Sequence, residues 1–133
     1  MCPKVGITAS CFDLLHAGHV AMLREAKMHC DYLICCLQVD PSLERPEKNK
    51  PVQSIVERYI QIAGSKYVDE VIPYCTEQDL MAILTTQPIH IRFVGEEYRN
   101  RAFTGNKLHI PIFFNSRKHR FSSTELRNRL SKK

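Results

Sequence analysis

Lys4-Val5-Gly6-Ile7-Thr8-Ala9-Ser10-Cys11-Phe12-Asp13-Leu14-Leu15-His16-Ala17-Gly18-His19 begins as a strand and ends as the opening of a helix. Lys4 to Ala9 has the length and apolar character of a short strand. From Ala17 onward Val20, Met22, Leu23 and Ala26 recur at helical spacing, with Lys27 at the edge of that face where its stem can lie along it. Tyr32 to Val39 is a continuous apolar run of strand length, the pattern of a central strand in a parallel sheet covered on both faces. Strand, helix, strand in that order sets up a parallel pair joined by a helical crossover.

The rest of the chain repeats this alternation. From Asp40 to Pro51 prolines and charged residues replace the apolar ones, which predicts a loop whose Lys48 and Lys50 are free to reach a ligand. Ser54 to Gly64 reads as a helix with Ile55, Tyr59 and Ile62 on one face and Gly64 as its C-cap. Tyr67 to Pro73 reads as a strand, Asp79 to Thr86 as a helix, His90 to Val94 and Ile110 to Asn115 as strands. A basic turn at Arg117 to Arg120 leads into a helix from Ser123 to Leu130. The expected class is α/β: one Rossmann-like, doubly wound, mostly parallel sheet with helices on both faces, a single domain over residues 1–133. Ligands in such sheets bind past the carboxyl ends of the strands, which places the turn Ser10 to His19 at the site.

The 133 residues are long enough to bury a core without disulfides or a structural metal, and 44% hydrophobic with 25% charged residues is the balance of a globular protein. No apolar run approaches the roughly 20 residues of a membrane span, and the start lacks the regions of a signal peptide, so a cytoplasmic location is expected. Six cysteines are present, but Cys35 and Cys36 lie side by side in an apolar run and no pair has zinc-ligand spacing, so reduced thiols are expected. A net charge of +5 fits an anionic partner. The aromatic-interleaved motifs of RNA-binding modules are missing, and nucleic acid is not expected as the partner.

His16 and His19 sit three apart where a helix opens, beside N–H groups that favour an anion, and Gly18 between them lets the backbone approach a ligand closely. Imidazoles can donate to phosphate oxygens and stabilise charge that develops in a transition state. On their own, two histidines could equally be metal ligands or surface residues. Ser122, Ser123 and Thr124 give hydroxyls at the start of the last helix, a second anion site or, more simply, an ordinary N-cap with Glu125 behind it.

Phe12-Asp13-Leu14-Leu15-His16-Ala17-Gly18-His19 in this strand-to-helix context resembles the nucleotidyltransferase family that carries a His-x-Gly-His signature, most closely its glycerol-3-phosphate cytidylyltransferase branch. The likeness continues through Ala26-Lys27, Asp31-Tyr32-Leu33, Glu57-Arg58, the run Tyr67 to Pro73, Gly95-Glu96-Glu97-Tyr98 and Ser122-Ser123-Thr124-Glu125-Leu126. Two departures touch substrate choice. Ser10-Cys11 stands where relatives commonly carry Gly-Thr or Gly-Ile, and Arg120-Phe121 where that branch has Gly-Ile.

The resemblance implies an enzyme that moves a cytidylyl group from CTP, with Mg²⁺ on the triphosphate, to a small phosphorylated alcohol. Glycerol 3-phosphate leads among the acceptors, ahead of phosphocholine and phosphoethanolamine. Adenylyl transfer from ATP is the enzymatic alternative, and a basic nucleic-acid-binding module the non-enzymatic one. By the same resemblance His16, His19, Lys50 and Arg117 handle the triphosphate, Ser10, Cys11, Phe12 and Gly18 line the nucleotide loop, Glu96 lies near the nucleotide, and Ser122, Ser123 and Thr124 meet phosphates. Asp13 either orients a loop N–H, contacts the acceptor or stabilises its turn. Arg58 and Lys66 either line the acceptor pocket, form a subunit contact in a homodimer or remain solvated. Glu97 is expected to face water, His29, His90, His109 and His119 to serve packing or surface roles, and no protein metal ligand is readable.

Overall fold

The computed structural model describes residues 2–116 and 123–131. Within them β1 (Val5–Ser10), α1 (Ala17–Lys27), β2 (Tyr32–Gln38), α2 (Ile55–Ala63), β3 (Glu70–Tyr74), α3 (Glu77–Thr86), β4 (Ile91–Gly95), β5 (Ile112–Asn115) and α4 (Ser123–Ser131) follow in chain order. The strands lie in the order β3-β2-β1-β4-β5, and every neighbouring pair is parallel. The sheet expected to be mostly parallel is thus parallel throughout the described residues.

Parallel pairing requires crossovers, and these fall on both faces. Leu23 and Ala26 of α1 and Ile62 of α2 bury with Leu33, Cys35, Leu37 and Phe93 on one side; Leu80 and Leu84 of α3 bury with Ile7, Ile34 and Cys36 on the other. β2 is therefore dry on both faces, which is why its sequence reads as an unbroken apolar run. The winding reverses between β1 and β4, and the crevice past their carboxyl ends is where such a sheet receives ligands. All six cysteines are free thiols. Burial pushes the Cys36 thiol up to about 12 and the Cys35 thiol further still, so both pack as neutral small hydrophobes. Among the described residues no helix is long and apolar enough to cross a membrane.

Three local expectations are corrected. β3 opens at Glu70 rather than Tyr67, because Val68 N–H donates to Ser65 O in a turn that delays the strand. α3 opens at Glu77, two residues before the expected start: Thr76 Oγ1 accepts from Asp79 N–H while the Asp79 carboxylate accepts from Thr76 N–H, a capping box. The inner face of α2 is Ile55, Arg58 and Ile62, and Tyr59 turns outward at 42% exposure. The loop Asp40 to Pro51 carries one 3₁₀ turn, Pro41–Leu43, closed by the Asp40 carboxylate on Ser42 N–H.

Candidate active site

α1 is capped by the two histidines themselves. His16, at the N-cap, accepts Gly18 N–H on Nδ1 at 2.9 Å, and His16 N–H donates to His19 Nδ1 at 3.2 Å. This is the reciprocal geometry of a capping box with imidazoles in place of the usual hydroxyl and carboxylate. An Nδ1 that accepts a hydrogen bond carries no proton, so each ring holds its proton on Nε2 as a donor. The rings lie 4.0 Å apart, centroid to centroid. They act as two fixed N–H donors at a helix start, joined to the positive end of its dipole.

The turn feeding this cap is strained. Phe12 and Leu14 have φ of +50° and +52°, a left-handed conformation uncommon for bulky side chains. Neighbouring segments hold it there. The Asp13 carboxylate accepts from Val52 N–H at 2.8 Å and Gln53 N–H at 2.9 Å and pairs with Arg127 of α4 at 3.2 Å, while Leu14 N–H donates to Gln53 Oε1. Arg58, only 2% exposed, reaches in from α2 and donates to the carbonyls of Cys11, Gln38, Val39 and Gln53. One guanidinium thereby joins the ends of β1 and β2 to the loop before α2.

Past the strand ends lies a cavity of about 500 Å³. Ser10, Cys11, His16, Gly18 and His19 line it from the α1 side, while Tyr74, Leu80, Arg92 and Thr104 line it from the α3 side. Phe12 and Asp13 open onto a smaller adjoining hollow with Lys48 and Arg127. Arg45 and Lys48 bring two cations from the Asp40 to Pro51 loop. Burial raises the Cys11 thiol above its ordinary value despite the nearby Arg58, so it is a neutral wall and no nucleophile.

Several expected site residues are placed elsewhere. Arg58 spends its donors on backbone carbonyls inside the fold, so it is neither solvated nor open to an acceptor. Lys66 lies between α2 and β3 at the end of the sheet where β3 begins, over the Tyr67 ring, away from the carboxyl-end crevice. Lys50 is exposed and lines neither hollow; Lys48 takes that place. Glu96 pairs with Arg99 at 2.8 Å, which holds its carboxyl below the usual range, and Glu97 lines the cavity instead. Thr124 is exposed in the first turn of α4. Arg117, Ser122 and the side chain of Ser123 lie outside the described residues. His90 accepts Val5 N–H and His29 stacks on Phe113 at 4.2 Å, as packing residues.

The sequence reading did not single out Arg45, Tyr74, Glu77, Arg92 or Arg127 for the site. Arg92 carries a legible signal, a lone cation between apolar residues of a strand.

A family model described as cytidylyltransferase-like matches residues 7–129. The bifunctional protein HldE of Granulibacter bethesdensis is 36% identical over 102 residues, 76% of this chain and 21% of that protein. The HldE of Paramagnetospirillum magneticum is 41% identical over 86 residues, 64% of this chain and 18% of that one. The chain thus spans about a fifth of the length of the curated relatives it matches. The crystal structure of a lipopolysaccharide core biosynthesis protein from Thermoplasma volcanium GSS1 superposes with a TM-score of 0.71 at 26% identity, covering 86% of this chain and 98% of that one. With the family match running from within β1 to within α4, the chain belongs to the cytidylyltransferase-like family of nucleotidyltransferases.

Proposed function

We propose that the protein transfers a nucleotidyl group from a nucleoside triphosphate, CTP in the first instance, to the phosphate of a small phosphorylated alcohol, with glycerol 3-phosphate the first acceptor to try. The observation that carries this reading is the pair of imidazoles capping α1, both presenting to a cavity that also holds Arg45, Lys48 and Arg92. An acceptor phosphate oxygen attacks the α-phosphorus, the α–β bridging bond breaks, and pyrophosphate leaves with that bond's electron pair. Such a transfer needs positioning and charge neutralisation rather than a nucleophilic side chain, and the site offers fixed donors and cations. Among the described residues no group of three His, Cys, Asp or Glu is placed to hold a metal. In this reading Glu97, a hard carboxylate lining the cavity, would help hold a Mg²⁺ brought by the triphosphate, which would supply further charge neutralisation.

A second reading is adenylyl transfer from ATP to a sugar phosphate; the sugar-phosphate acceptor, though not the nucleotide, fits the Thermoplasma neighbour, a lipopolysaccharide core biosynthesis protein. Pyrophosphate release across four nucleoside triphosphates, each with glycerol 3-phosphate, phosphocholine, phosphoethanolamine and a heptose phosphate, separates the two. Binding to the folded state alone raises stability by mass action, so CTP with Mg²⁺ is expected to raise the melting temperature more than ATP. An equal or larger rise with ATP overturns the cytidylyl reading and favours the second.

The chain is also proposed to form a homodimer through α2. Val56 and Ile60 are 63% and 65% exposed on its outer face, with Tyr59 between them and Val52 just before it at 68%. Such a contiguous apolar strip on a helix marks an interaction surface. Light scattering is expected to give twice the protomer mass, and Ile60→Glu to return the single mass. A native chain that remains one protomer at every working concentration removes the idea.

A further inference from the structure

Arg58 and Lys66, the cations expected at the acceptor, are both placed away from the cavity, yet the proposed transfer brings a second anion beside the triphosphate. On the α3 side, Arg92 extends from β4 to the cavity while only 6% exposed. Its surroundings are built to hold it. Nη1 donates to the carbonyl of Thr104, the guanidinium lies 5.2 Å from the Phe103 ring centroid, and Gly105 turns the backbone beside it with φ of +80°. A Cβ at Gly105 would stand 2.9 Å from Nη1, so that approach needs glycine.

What this setting omits is a counterion in direct contact. Glu77 lies near enough to act on Arg92 electrostatically, but its carboxylate accepts from Thr104 Oγ1 at 2.7 Å and pairs with Arg45 at 3.7 Å. Among the described residues Arg92 Nε and Nη2 have no hydrogen-bond partner, and neither does the hydroxyl of Tyr74, which is 5% exposed on the same wall. Neither residue contributes a fully enclosed unsatisfied atom, so these donors open onto the cavity. A guanidinium stripped of water and left with a free fork is costly to the fold unless an oxyanion fills it.

We propose that Arg92, with the Tyr74 hydroxyl beside it, seats the phosphate of the acceptor. The inference rests on the transfer reading for the word acceptor, and on the geometry alone for the phosphate. It divides the cavity. The triphosphate takes the α1 side at His16 and His19, the acceptor takes the α3 side, and the two meet at the switch point between β1 and β4. Desolvation lowers the Arg92 pKa from its ordinary value, but arginine stays charged at neutral pH and the fork keeps its full attraction for a phosphate dianion.

The test uses inorganic phosphate and acetate as probes on the native chain saturated with whichever of CTP or ATP stabilises it more. The Arg92 Nε–H resonance is assigned by its loss in Arg92→Lys. Phosphate is expected to shift it with nucleotide bound, and acetate to leave it in place. No shift, a shift that disappears when nucleotide is present, or an equal shift with acetate overturns the proposal. ³¹P line broadening of phosphate by the nucleotide-saturated native chain is the variant-free form of the measurement, and no broadening is equally fatal. For turnover, Arg92→Lys and Arg92→Gln are expected to raise the acceptor KM by about ten- to a hundredfold, the scale of a lost charge-assisted hydrogen bond. The nucleotide KM should hold within about twofold for a cation that serves the acceptor alone. A merely structural Arg92 would instead lower melting temperature and affect both KM values together. The resonance arm needs no turnover, so a chain inactive with every acceptor sinks the transfer reading and leaves the phosphate seat to be judged separately.

Discussion

His16→Asn is expected to leave the melting temperature nearly unchanged and to lower kcat about a hundredfold or more, the scale on which one preorganised donor acts at an oxyanion-type site. Asparagine is among the best N-cap residues and can accept Gly18 N–H as His16 Nδ1 does, so the helix start survives. What disappears is the imidazole Nε2–H. His19→Gln makes the same separation, because glutamine at the third helical position can reach back to the His16 N–H. His16→Ala should combine both losses, about 1 kcal/mol of stability with the cap and the same drop in kcat. The contrast lies in turnover alone: an imidazole that only finishes a turn forecasts the same stability pattern, lost with Ala and retained with Asn, but turnover per folded molecule unchanged throughout. Steady-state kinetics with the nucleotide and acceptor chosen by the panel, on variants checked by melting, distinguishes the two. A His16→Asn enzyme with near-native kcat would remove the phosphate role.

Arg58→Met is expected to cost about 3–5 kcal/mol of folding stability, the range for removing one partner of a buried charged network. Four backbone carbonyls lose their donor at once, and methionine fills the volume without replacing a single bond. Arg58→Lys should recover part of the loss, since an ammonium can satisfy some carbonyls but lacks the planar fork that spans three chain segments. Urea denaturation with both variants checks this, and a loss below about 1 kcal/mol for Met would show that the carbonyl cage contributes little. Mild enough conditions to keep Arg58→Lys folded allow a second check. Its acceptor KM should stay near native, where Arg92→Lys should not.

The β1 to α1 segment was legible because its apolar period changes from strand-like to helical within a few residues, with glycine and histidine at the change. The central strand β2 was legible for an opposite reason: burial on both faces erases any alternation, and an uninterrupted apolar run is itself the sign. Arg58 was not legible. Helical periodicity placed an apolar Tyr59 inward, and nothing local to α2 announces that four carbonyls from three other segments converge one residue earlier. Glu96 was read toward the nucleotide, but Arg99 three positions on captures it, while Glu97 is exposed as expected and also lines the cavity. Lys48 and Lys50 were offered equally by the loop, and the path of the backbone favours Lys48. Arg92 could have been questioned from the sequence alone, because a cation in the middle of Ile91 to Val94 has to be paired or used.

The bonds that hold Phe12 and Leu14 in their left-handed turn come from far along the chain: Gln53 is 39 positions from Leu14, and Arg127 is 114 positions from Asp13. On a ribosome, synthesis proceeds N-terminus first at about 5–20 residues per second, so β1, α1 and β2 are available several seconds before Arg127. The secondary structure around the histidines can therefore form early, while the turn that aims them receives its last tie when α4 docks. Acquiring a fold and acquiring a competent site are two events for a newly made chain, and a pulse-chase clock would read them as separate times.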